Sequence, residues 1–276
     1  MRRTVAPFSR VAATRLRAVA RPPVVLGYHG IADVDPRHDP VRLFVRPRSL
    51  RRQVRRLQAR GYRFLPMAAF AHALSMGSDL QGTCALTFDD GTLDHLTHLA
   101  PLLTELGVPA TVYVCPGLLG QPYPWSDAAA GIRFMTADEV VELSRHPLVE
   151  IGSHTIDHTV LGEASPDEAY REMAMCKERL EDLLGEPVPS FCYPRCFYSP
   201  ACPEAARRAG HTSAVTCGSR GSWDPFELKR EVVHTPDGPV TFELKSRGHY
   251  YRARSAPPAR FARWATRRYR HRGERR

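Results

Sequence analysis

Two short stretches of this 276-residue chain hold side chains able to do chemistry at one point. The first is Thr87-Phe88-Asp89-Asp90-Gly91, which follows the apolar run Cys84-Ala85-Leu86. Adjacent residues of a strand point to opposite faces, so both carboxylates serve one site only where the strand ends and the backbone turns. Gly91 supplies that turn. The second stretch is His154-Thr155-Ile156-Asp157-His158. Two His four apart can converge on a metal from a loop or from one helical turn, and imidazole suits zinc, nickel or iron. Such a pair alone is a weak signal, because it recurs by chance. Its position strengthens it: like the paired Asp, it follows a strand-like run, and strand ends of a parallel sheet gather on one edge. Asp90, His154 and His158 would then form a two-His, one-carboxylate site with open positions. Asp89 would stay unligated, placed to take a proton from a water acidified by the metal. The competing reading makes Asp89-Asp90 an N-cap pair for a helix starting near Leu93.

Positioning these residues requires a regular frame, and the pattern supplies one. Val24 to Tyr28 reads as a short buried strand ending at His29. Leu50, Val54 and Leu57 recur at helical spacing between Ser49 and Arg60, with Gly61 as terminator. That helix is strongly basic outside. From Cys84 onward a strand (84–88), a helix (93–106, ended by Gly107) and a β-branched strand (110–115) make a βαβ unit. A Pro/Gly-rich loop carrying Tyr123 and Trp125 precedes a helix capped by Thr136. A strand from Leu148 ends at His154. A helix opened by Ser165-Pro166 runs to Gly185. Strands at 190–193, 211–217 and 232–233 follow, with a helix closed by Gly210 between the first two. Alternation of this kind argues for a mostly parallel sheet, open or closed into a barrel.

The bulk composition, 43% hydrophobic and 25% charged, is that of an ordinary globular protein and excludes wholesale disorder. The net charge of +10 is unevenly placed. Residues 1–23 hold six Arg and no acid, and residues 247–276 hold eleven Arg against Glu274 alone, so residues 24–246 carry 22 basic against 28 acidic residues. Three segments are therefore expected: an Arg-rich leader (1–23), a globular domain (24–246) and a basic tail (247–276). The Arg-rich ends suit peripheral contact with an anionic membrane, Thr4 to Ala20 as a basic amphipathic helix on its surface, and 261–269 reads as an aromatic-bearing helix. No nucleic-acid motif accompanies them, and nucleic acid is not an expected partner. Neither a signal peptide nor a membrane-spanning run is evident, which gives an expectation of a cytoplasmic protein or one at the inner membrane face. Seven Cys at unpaired spacings indicate reduced thiols rather than a disulfide framework, and Cys192, Cys196 and Cys202 fit no common zinc spacing.

The two stretches, about 65 residues apart with a βαβ pattern between them, resemble the first two motifs of the polysaccharide deacetylases with a NodB-homology domain, carbohydrate esterase family 4. The resemblance covers roughly Val24 to Leu244. It implies an α/β fold, an irregular (β/α)7 barrel of the NodB-homology type. It implies a divalent metal, usually zinc, held by Asp90, His154 and His158, with Asp89 as general base. The family's third motif, commonly Arg-Pro-Pro-Tyr-Gly, is replaced by Phe191-Cys192-Tyr193-Pro194-Arg195-Cys196. Cys192 stands where the family has the Arg that orients the base. Arg195 could give a backbone N–H to an oxyanion, orient Asp89, or contact an acidic sugar. The family's final Leu-x-His has no convincing match at the C-terminal end. Leu26-Gly27-Tyr28-His29 is similar to the N-terminal Tyr-His pair of permuted members, which makes His29 the expected general acid, with His234 as the alternative.

The reading is a metal-dependent hydrolase of carbon–nitrogen bonds that removes N-acetyl groups from a glycan, oligosaccharide or glycolipid. Tyr193 and Trp125 are the expected sugar-binding aromatics, with Tyr123 and Trp223 as further candidates. A catalytically inactive glycan-binding module on the same fold is the alternative, motivated by the missing Arg. Oligomeric state is left open.

Overall fold

The computed structural model describes residues 21–218 and 221–255. The expected amphipathic segment Thr4 to Ala20 and the aromatic-bearing segment 261–269 lie outside the described residues. The elements are β1 (Val24–Tyr28), α1 (Pro47–Ala59), β2 (Arg63–Phe64), α2 (Met67–Ser75), β3 (Thr83–Phe88), α3 (Ala100–Leu106), β4 (Ala110–Val114), α4 (Ala137–Ser144), β5 (Val149–Ser153), α5 (Pro166–Leu184), β6 (Ser190–Cys192), α6 (Cys202–Arg208), β7 (Ser213–Val215), β8 (Glu231–Val232), α7 (Pro239–Ser246) and α8 (Tyr250–Ser255). The strands form one parallel sheet in the order β7-β6-β5-β4-β3-β1-β8, with β2 paired to the start of β3. This is the expected α/β fold, a curled parallel sheet.

The curl is completed by loops. Leu228 N–H donates to Ala214 O and Thr216 N–H to Leu228 O, both at 2.9 Å, and Gly218 N–H donates to Arg230 O at 3.2 Å. The segment entering β8 thus lies against the segment leaving β7. This pairing holds residue 230 at the edge strand, with its side chain reaching inside the curl to Thr87 and Thr216.

Strand alternation divides each chain segment between two surroundings. Leu26, Tyr28, Leu86, Phe88, Val112 and Val114 face outward into a core shared with α1, α3 and α4. Val25, Ala85, Tyr113, Cys192 and Val215 face inward, where α2 packs Met67 and Phe70 against them. The amino end of α2 is anchored inside the curl, with Met67 N–H donating to Thr111 Oγ1 at 2.9 Å and Ala68 N–H to the Glu150 carboxylate. Gly152 is required at its place: a Cβ there would stand 2.5 Å from the Tyr113 ring.

Two differences from expectation have local causes. The helix expected over 93–106 opens instead as a single π-turn, His95–Leu99, before α3. Pro101 has no N–H to close an ordinary turn and would clash with the carbonyl four residues back, so the wider turn is the accommodating one. The sequence also hid a disulfide. Cys196 and Cys217 are bonded, while Cys84, Cys115, Cys176, Cys192 and Cys202 are free and buried. The expectation of reduced thiols throughout is therefore corrected. The pair is 21 residues apart across α6, but β6 and β7 are adjacent strands, so the loops that follow them meet at the same sheet edge.

Closing a loop of that size stabilises by about 3 kcal/mol through the unfolded chain. The Cys196→Ser/Cys217→Ser variant should lose that amount in urea unfolding, and an unchanged midpoint would show that the bond constrains nothing.

Candidate active site

The ends of β1, β3, β5, β6, β7 and β8 meet a cavity of about 380 Å³ at the carboxyl edge of the sheet. Asp89 continues the inward alternation of β3 beyond Phe88. Asp90 would point away, but it adopts a left-handed φ of 78° and Gly91 follows at 79°, which turns the second carboxylate back into the cavity. The turn that Gly91 was expected to make is shared with Asp90 itself. Among the described non-glycine residues with positive φ, Thr155, His158, Arg195 and Cys196 also sit at this edge, and Arg42 lies between the cavity residues Val41 and Leu43. Such conformations cost about 1–3 kcal/mol each and persist where a site needs them.

Asp90 is 2% exposed. Tyr123 O–H donates to its Oδ2 at 2.5 Å, and Oδ1 has no hydrogen-bond partner. That oxygen lies 3.5 Å from His154 Nε2 and 3.6 Å from His158 Nε2. His154 Nδ1 is 2.7 Å from the Cys192 carbonyl oxygen, which can only accept, so Nδ1 carries a proton and Nε2 is the ring nitrogen that faces Asp90. Burial opposes ionisation of Asp90, yet His154, His29 and His158 hold its carboxyl well below the usual carboxylate range. Burial and the neighbouring His154 push His158 down to about 4, leaving a neutral ring. An orphaned carboxylate oxygen facing two imidazole nitrogens is a donor set that fits a divalent cation. Asp89, His154 and Cys192 form a second group of potential ligand atoms within 4.8 Å. It fits poorly, because a guanidinium already occupies Asp89 and Cys192, and burial keeps the Cys192 thiol protonated by raising its pKa.

That guanidinium belongs to Arg230, which is fully buried. Its Nη1 donates to Asp89 Oδ1 at 2.6 Å and to Thr87 Oγ1 at 3.0 Å; its Nη2 donates to Asp89 Oδ2 at 2.8 Å and to Cys192 Sγ at 3.0 Å; its Nε donates to Thr216 O at 3.1 Å. Burial alone would raise the Asp89 pKa, but Arg230 keeps it below the ordinary value. The alternative in which Arg195 orients Asp89 is therefore corrected, since Arg230 takes both carboxylate oxygens. Arg230 had no signal in the sequence. It stands in Lys229-Arg230-Glu231, an ordinary polar entry to a strand, and only the order β3-β1-β8 carries it to Asp89.

His29 follows β1 beside Asp89, whose N–H donates to Tyr28 O at 2.9 Å. The His29 carbonyl accepts from His95 Nε2 at 3.0 Å, and Ile31 N–H donates to Asp94, so the π-turn clamps the end of β1. His29 Nδ1 is buried without a partner. His234, Arg195 and Trp125 also line the cavity, and the Trp125 ring lies 4.4 Å from that of His158. Tyr193, an expected sugar-binding aromatic, and Trp223, a further candidate, are elsewhere. Tyr193 follows β6 on the outward side, fully buried, stacked on Tyr198 at 4.2 Å with its O–H donating to Phe226 O at 3.0 Å. Trp223 is 44% exposed against Phe70, away from the cavity. Tyr251 of α8 supplies a wall that the sequence reading missed, since it assigned residues after 246 to a tail.

A curled parallel sheet with a carboxylate pair and two His at its carboxyl edge defines an α/β protein with a candidate metal site. The family model described as polysaccharide deacetylase matches residues 77–214, half of the sequence. The chain belongs to the polysaccharide deacetylase family. It is 27% identical over 161 residues to YxkH of Bacillus subtilis (strain 168), named for the same family; the match spans 58% of this chain and 54% of that protein. Two solved structures share the fold. Streptococcus pyogenes deacetylase PplD, in complex with acetate, superposes with a TM-score of 0.69 at 24% identity, covering 83% of this chain and 98% of that one. IcaB from Ammonifex degensii gives 0.68 at 21% identity, covering 83% and 97%.

Arg230→Met should strand the buried Asp89 charge and cost about 3–5 kcal/mol of stability. Adding Asp89→Asn should recover part of that loss, which a double-mutant cycle in urea measures; additive losses would show that the two side chains do not act as a pair.

Proposed function

We propose that the chain is a metal-dependent N-deacetylase of sugars, a hydrolase of non-peptide carbon–nitrogen bonds, with its catalytic domain running from residue 24 through α8 rather than ending at 246. The observation that carries the reading is the division of the two neighbouring carboxylates: Asp89 saturated by Arg230, Asp90 left with an open oxygen facing His154 and His158. Asp90, His154 and His158 would hold a divalent cation, zinc being the metal that best suits the set. Bound there, it would polarise the acetamide carbonyl and lower the pKa of a coordinated water.

The remaining steps fall to the chain itself. Asp89 receives the proton of the attacking water; Arg230 fixes its plane and keeps it ionised, so it accepts rather than donates. The strained turn at Arg195 offers a backbone N–H toward the developing oxyanion. His29, with Nδ1 unpartnered, protonates the departing sugar amine, giving acetate and a free amine. Trp125 packs against the sugar ring and narrows the approach beside His158. His234, which lines the same cavity, is not needed in this scheme. The substrate is an N-acetylated carbohydrate.

The inactive-module alternative rested on the missing orienting Arg, and Arg230 removes that motive. Among the described residues no helix is long and apolar enough to cross a membrane. The Cys196–Cys217 bond is of a kind that persists in oxidising compartments, which weighs against the cytoplasmic expectation. Membrane contact through the Arg-rich ends remains a separate proposal, tested by sedimentation with anionic vesicles after removal of residues 1–20 and 256–276.

The test of function is acetate release from N-acetylglucosamine oligomers with and without chelator. Release that chelator abolishes and zinc restores supports the reading; release untouched by chelator contradicts the metal, and no release contradicts the activity. Tyr123→Phe should weaken metal affinity by about 10–100-fold, measured by competition with a chelating dye, because Asp90 loses the hydroxyl that orients it.

A further inference from the structure

The outer face of α1 carries five arginines inside the helix. Three are matched to carboxylates: Arg51 and Arg55 to Glu105 at 2.7 and 2.8 Å, and Arg56 to Glu243 at 2.9 Å. Of the flanking residues, Arg60 also pairs with Glu243 and Arg46 with Asp33. Among the described residues Arg48 and Arg52 have no such partner. They stand four apart, so two like charges share one stripe of the helix, an arrangement that is unfavourable unless an anion meets them.

These two side chains, with Arg46, line a second cavity of about 360 Å³. His234 lies in the walls of both this cavity and the catalytic one, so the two spaces adjoin. The acid in the second cavity, Asp237, is already engaged by Lys245 and by the His234 N–H. The cavity is therefore basic in a domain whose residues 24–246 are acidic overall. Guanidinium groups recognise planar or tetrahedral oxyanions through paired N–H donors.

We infer that Arg48 and Arg52, assisted by Arg46, form an anion subsite for an oxyanion, phosphate or carboxylate, carried by the substrate beside the sugar whose acetamide enters the catalytic cavity. The inference rests on the deacetylase reading for its orientation, but its binding can be measured without turnover. Substrates of this enzyme are then anionic glycans, and the subsite contributes to KM rather than to the chemical step.

The experiment uses the full chain and three matched probes in calorimetric titrations: an N-acetylglucosamine trimer, the same trimer with a 1-phosphate, and the trimer with its reducing end oxidised to a carboxylate. At least one charged probe should bind tenfold or more tightly than the neutral trimer, and the tighter of the two names the source of the oxyanion. Arg48→Gln/Arg52→Gln should erase the difference, while Arg51→Gln/Arg55→Gln, of equal charge change on the same helix, should leave it. Equal binding of all three probes, including none detectable, overturns the inference; so does a contrast that survives Arg48→Gln/Arg52→Gln, or one that both double variants erase alike. Acetate release measured in parallel separates the two claims. Charged-probe selectivity without release contradicts the deacetylase reading alone, and release without selectivity contradicts the subsite alone.

Discussion

A buried guanidinium holding a carboxylate is the constraint around which this site is built. Arg230 and Asp89 are both shielded from water, and desolvating two charges is repaid only when geometry and further hydrogen bonds are good. Here they are good: two parallel N–H···O contacts to Asp89, with Thr87, Thr216 and Cys192 taking remaining donor positions. The pair also couples distant parts of the chain. Asp89 ends the strand near the centre of the sheet, while Arg230 arrives at its edge, so the curl of the sheet and the state of the site depend on one another.

From this follows the unequal fate of two neighbouring acids. Fixing Asp89 through both oxygens leaves it ionised and oriented, while the left-handed turn at Asp90 sends the next carboxylate to the two imidazoles. Tyr123 and the Cys192 carbonyl orient that second group from behind. Cys192 thus stands between the two halves, its carbonyl serving His154 and its sulfur meeting Arg230.

Much of the frame was legible in the sequence because it depends on local pattern. The apolar run ending at Phe88, the Thr136 and Ser165 caps and the Gly107 and Gly185 stops all correspond to observed elements. Asp89, Asp90, His154, His158 and His29 were legible as strand-end residues, and they line one cavity because strand ends in a parallel sheet share an edge. What escaped was what only tertiary adjacency creates. Arg230 and the Cys196–Cys217 bond join segments whose proximity is set by strand order, and neither has a local signature. Tyr193 was misplaced by one step of alternation: Cys192 faces the site, so its neighbour faces α6. Tyr251 was missed because a basic composition masked a short helix that folds back over the cavity.

The division of labour between the two acids is tested most directly by measuring metal content and acetate release on the same preparations of Asp89→Asn and Asp90→Asn. Asp89→Asn should retain about one equivalent of divalent metal and lose turnover by about 10²–10⁴-fold, the span of a lost general base. Asp90→Asn should lose both metal and turnover. Loss of metal from Asp89→Asn, or turnover preserved in it, would contradict the account.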